Sequence, residues 1–125
     1  MRLRKKLLAA GLLGIAPLGA ANAMDVATFL AKAEALQAQG MMALMSSDYK
    51  SLQAEIVAHS QALRNERLAA ERARRRPAYC PPAGSSLKSD EILTAFRSIP
   101  AARRPRTDVK DALRALLARK YPCPR

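Results

Sequence analysis

The sequence predicts an all-α fold of about four helices, with a long second helix and a C-terminal helical hairpin closed by one disulfide. Three observations carry that expectation. Apolar residues recur at three- and four-residue spacing in four separate stretches, the period of one helix face. Alternation of period two, the mark of a half-buried strand, is missing. Cys80 and Cys123, the two cysteines of the chain, bracket the last two of those stretches.

The chain has 125 residues and a formal net charge of +12. Residues 1–23 have the order of a cleavable secretory signal peptide. Arg2, Arg4, Lys5 and Lys6 form a basic start, an apolar run follows from Leu7 to Leu18, and Ala21-Asn22-Ala23 is a small-x-small cleavage site. The apolar run is too short to cross a bilayer core of about 30 Å. No cysteine lies near the site to carry a lipid, and no Arg-Arg pair precedes the run, so the general secretion route is expected. Cleavage removes four cations and lowers the net charge from +12 to +8. The expected location is the periplasm or the exterior. Residues 24–125 then form a single small domain: N-terminal helices over 24–76, a linker over 77–88 and the disulfide-closed hairpin over 89–122.

Val26, Phe29, Leu30, Ala33 and Leu36 mark the apolar face of the first helix. Asp25 is placed to cap it, because a short acceptor side chain satisfies free amides at a helix start. Gly40 is placed to end it. The apolar run Met41–Met45 leads to Ser46-Ser47, the cap of a second helix expected from about Asp48 to Arg75. Tyr49, Leu52, Ile56, Val57 and Leu63 give its stripe. Beyond Leu68 the stripe fades into arginines, and Pro77 is the expected stop. Pro77, Pro81, Pro82, Gly84, Ser85 and Ser86 make the linker.

The third helix opens at Ser89, with Asp90 and Glu91 where the helix dipole favours negative charge. Its apolar face is Ile92, Leu93, Phe96 and Ile99, ending at Pro100. Thr107 is the expected cap of the fourth helix, whose face is Val109, Ala112, Leu113, Leu116 and Leu117. Arg119 and Lys120 suit its last turn, and Pro122 ends it. If these two helices fold back on each other, Cys80 and Cys123 meet at the open end. Such a bridge is worth about 4 kcal/mol by chain entropy. It would staple a core that is thin in aromatic residues, with no tryptophan.

No catalytic set is expected. His59, the single histidine, has no nucleophile or acid that can be named beside it, and reads as a partly packed surface residue. Two thiolates and one distant histidine do not fill a metal shell, and no cofactor is expected. Met41, Met42 and Met45 read as core or interface filler rather than a copper site. Arginines fall into two groups. Arg64, Arg67, Arg72, Arg74, Arg75 and Arg76 follow the second helix, while Arg97, Arg103, Arg104 and Arg106 belong to the hairpin. Arg72, Arg74, Arg75, Arg76, Arg103, Arg104 and Arg106 are the candidate partner-binding residues. Export removes nucleic acid as a partner and leaves anionic lipid, envelope polymer or an acidic protein surface.

Cys80-Pro81-Pro82, Ser89-Asp90-Glu91-Ile92-Leu93, Ile99-Pro100, Val109 with Ala112-Leu113, and Tyr121-Pro122-Cys123 resemble the C-terminal part of the Rap/Tai-type immunity proteins of bacterial type VI secretion. The resemblance covers about a third of the chain. It implies a small, exported, helical protein that binds a peptidoglycan amidase effector and blocks it, often as a homodimer. The long arginine-rich second helix departs from that pattern, and no inhibitory residue carries over. The expected function is therefore that of an envelope protein-binding module of immunity type, not an enzyme. The competing expectation is a small periplasmic chaperone for unfolded clients.

Overall fold

A computed structural model describes residues 23–125. The signal peptide expected over 1–23 lies, but for Ala23, outside the described residues. Four helices make the fold: α1 Val26–Gln39, α2 Ser47–Arg72, α3 Ser89–Ser98 and α4 Val109–Lys120. Two short 3₁₀ turns, Gly40–Met45 and Arg104–Arg106, join α1 to α2 and α3 to α4. There is no strand among the described residues, and no helix there is long and apolar enough to cross a membrane.

The local signals act where their chemistry places them. Asp25 accepts from the Thr28 amide at 2.8 Å and from the Thr28 hydroxyl at 2.9 Å. Those bonds, the Thr28 amide first, hold its carboxyl below the usual carboxylate range. Gly40 leaves α1 with φ +60°. Ser46 caps α2 by accepting from the Tyr49 amide at 3.1 Å. At α3, Glu91 reaches back to accept from the Lys88 amide at 2.8 Å, half of a capping box.

Two boundaries differ from the sequence reading. Helix α2 stops at Arg72, five residues before Pro77. Arg74 turns left-handed there, with φ +54°. The Arg74 amide then donates to Glu71 O and the Arg75 amide to Ala70 O, a Schellman closure usually built on glycine. A side chain in that conformation costs about 1–2 kcal/mol. Arg74→Gly should therefore stabilise the protein by about 0.5–1 kcal/mol once the looser unfolded chain is counted. Thermal unfolding would read this as a rise of a few degrees, and a fall would show that Arg74 makes a contact worth more than the strain.

The second difference is at α4. Asp108, not Thr107, occupies the cap position, and neither side chain caps the helix. Thr107 is engaged elsewhere: its hydroxyl donates to Arg103 O at 2.9 Å, and its carbonyl accepts from the Val26 amide at 2.9 Å. In return the Val109 amide donates to Met24 O at 2.9 Å. The first turns of α1 and α4 thus satisfy each other's free amides through one antiparallel bridge, Asp25 with Asp108.

Helices α3 and α4 run antiparallel, as Lys120 near the end of α4 meets Glu91 in the first turn of α3 at 2.6 Å. Cys80 and Cys123 are bonded across the open end, their Cα atoms 4.9 Å apart. The Cys80 amide also donates to Tyr121 O at 2.8 Å. The first two helices pack on this hairpin in one continuous core. Val26, Phe29 and Leu30 of α1 meet Phe96 of α3 and Val109 and Leu113 of α4, with Leu63 of α2 closing the side. Phe29 and Phe96 stand edge to face, centroids 5.2 Å apart. Val57, expected in the α2 stripe, is 56% exposed because it lies about 100° around the helix from Ile56, on the edge of the packed face.

The hairpin's ion pair gives a pH signature. The Lys120 ammonium, then the Lys88 amide, holds the Glu91 carboxyl below its ordinary range. A depressed carboxylate stabilises the fold above its unfolded pKa and loses that contribution as pH falls through the folded value. Lys120→Met should therefore lower the melting temperature near neutrality, and the difference from wild type should shrink below about pH 4.3. A gap that stays constant to strong acid would mean Lys120 acts through its stem alone.

Candidate protein-binding surface

The clearest surface anomaly is apolar. In the turn between α1 and α2, Ala43 is buried while Met41, Met42, Leu44 and Met45 are 82%, 72%, 52% and 81% exposed. The geometry explains the split. Three residues per turn place Gly40 and Ala43 on one side, and the intervening residues face out. Isolated exposed apolar side chains are ordinary, but four within five residues form a patch. Methionine is flexible and polarizable, which suits an adaptable contact.

Between the two helices that the turn joins and α3 lies an apolar groove of about 280 Å³. Phe29, Ala33 and Leu36 of α1, Tyr49, Leu52, Ile56 and Val57 of α2, and Ile92 and Leu93 of α3 line it. Leu36 and Tyr49, four residues before and four residues after the methionine turn, are the lining residues nearest to it along the chain. The apolar character of Met41–Met45 is legible in the sequence, but their exposure is not. Nothing in a row of apolar residues tells a buried turn from a protruding one.

The arginines divide differently from their order in the sequence. Arg72, Arg74 and Arg75 are exposed beyond the last packed turn of α2, with no side-chain partner among the described residues. Arg76 is an anchor: it donates to Cys123 O at 2.9 Å and to Pro124 O at 3.1 Å, tying the chain after α2 to the chain after α4. Arg104 closes the end of α3, donating to Ile99 O at 2.8 Å and Arg97 O at 2.7 Å. Arg103 and Arg106 flank it with free guanidinium groups among the described residues. The two groups lie at opposite ends of the hairpin, separated by the length of α4, about 18 Å. They do not form one basic face.

His59 shares a bond with Glu55 one helical turn earlier, Nε2 to Oε2 at 2.8 Å. No group of three His, Cys, Asp or Glu side chains able to hold a metal ion occurs among the described residues. Glu66 is held below the usual carboxylate range by Lys110 and then Arg114, an interhelical tie between α2 and α4. Comparison with protein-family models, with curated proteins and with solved structures finds no match to this chain.

Proposed function

We propose that the protein is an exported envelope module that binds one partner protein through the methionine turn and the groove walled by the helices it joins. The observation that carries this reading is the exposure of Met41, Met42, Leu44 and Met45 in the turn that joins α1 to α2, the two helices that wall an apolar groove. Apolar surface held in water is favourable to cover, at roughly 25 cal/mol per Å². The Cys80–Cys123 bond supports maturation in an oxidising compartment. The resemblance of residues 80–123 to Rap/Tai-type immunity proteins narrows the proposed partner to a peptidoglycan amidase effector, which binding would block.

The test is capture from an envelope extract by the mature, oxidised protein, followed by an amidase assay on the retained partner. One stoichiometric partner is expected at moderate salt, with its hydrolysis of peptidoglycan inhibited. Met41→Ser with Met45→Ser should lose that partner, while the melting temperature changes by little, since exposed substitutions cost within about 0.5 kcal/mol. Unchanged capture by this variant would sink the reading. The flexible, exposed methionines also favour a second one, a holding chaperone. It predicts many unfolded clients and suppressed aggregation of a model protein in place of a single partner.

A further inference from the structure

We propose that a second cleft, between α2 and the loop 81–87, docks an acidic peptide segment of a partner protein. The cleft encloses about 860 Å³ and backs onto the apolar groove, sharing only Ile56 and Ile92 with it. Its α2 wall is a single stripe, Ile56, Ser60, Arg64 and Arg67. Its other wall is the loop that begins at Pro81-Pro82. Ser85 turns back onto Pro82 O, and Lys120 holds Ser86 O at 3.4 Å.

Charge selects an anion. Arg64 has no side-chain hydrogen bond or ion pair among the described residues. Arg67 reaches Glu71 at 3.1 Å through Nη1, while its buried Nε has no acceptor. Glu91, the acid at the loop's end, is neutralised by Lys120. Two guanidinium groups therefore line the cleft, no carboxylate among the described residues lines it, and Glu71 offsets Arg67 alone. Forked donors of this kind bind carboxylates by charge-assisted hydrogen bonds.

The rings decide which anion. Arg67 stands over the face of Tyr79 at 5.7 Å, and Lys120 over Tyr121 at 5.3 Å. With a cation already on each ring, an acidic sugar or a nucleotide base finds no platform to stack on. A flat bilayer does not enter a recess between a helix and a loop. An extended peptide fits both walls. The amides of Ala83, Gly84, Ser86 and Leu87 have no protein acceptor among the described residues and can meet its carbonyls, while its carboxylates meet the arginines.

The experiment uses the oxidised mature chain and a short, end-blocked, fluorescent peptide of alternating glutamate and glycine at physiological salt. Anisotropy should report binding, and amide chemical-shift changes should gather at Ser60, Arg64, Gly84 and Ser86. Arg64→Gln should weaken binding by about tenfold. Arg75→Gln removes the same charge outside the cleft and should change it by less than about twofold. Thermal melts of both variants should match wild type. The methionine-turn double variant should bind the peptide normally, which separates this site from the proposed capture surface. No binding, equal loss in both arginine variants, loss in the methionine variant, or tighter binding of a uronate oligosaccharide or phosphatidylglycerol vesicles would each overturn the proposal.

Discussion

Phe96→Ala is expected to lower the free energy of unfolding by about 3–5 kcal/mol, the range for emptying a buried aromatic site. Phe96 is fully buried and meets Phe29 edge to face, so the loss includes both the transfer of the ring and the contact across α1 and α3. A domain of this size has a total of about 5–15 kcal/mol, so a sizeable fraction of its stability goes with one side chain. Urea unfolding should show a lower midpoint with an unchanged slope. Phe96→Leu should cost much less, because it keeps most of the volume. A loss under about 1.5 kcal/mol for the alanine variant would mean that α3 collapses onto the space and the core is less specific than its packing suggests.

The second large effect is expected from the disulfide. Cys80 and Cys123 are 43 residues apart, and closing a loop of that length is worth about 4 kcal/mol in the chain-entropy model. Cys80→Ser with Cys123→Ser should lower the melting temperature by on the order of 15–30 °C. Helix content near room temperature should survive in part, because neither cysteine belongs to the core that the four helices share. Arg76 and the Cys80 amide still tie the same ends together, so the hairpin should reclose. An unchanged melting temperature in the serine variant would show that those hydrogen bonds alone hold the open end.

The parts of the fold visible in the sequence are those governed by near neighbours. Asp25, Ser46 and Gly40 act within one turn of their own position, and the helices start and stop there. The Cys80–Cys123 pairing was legible because two helices of similar length return the chain to its origin. The misread boundaries have distant causes or unusual chemistry. Thr107 turns its hydroxyl back to Arg103 O, and its carbonyl takes an amide of α1 that no local window contains. The end of α2 is made by Arg74 in a conformation usually reserved for glycine, so Pro77 drew attention to the wrong residue. Arg76 and Arg104 looked like members of basic runs, yet their partners are carbonyls brought near by the fold. The groove and the cleft each need three or more segments at once. The amphipathic faces of those segments were readable, but the gaps between them were not.

Helix α2 has 26 residues, which makes it about 39 Å long. Electrostatic influence between exposed charges fades over about 8 Å at physiological ionic strength. Met45, two residues before its first, is thus several screening lengths from the arginines past its last. Raising the salt concentration would quiet the charges at one tip of this rod and leave the apolar tip unscreened.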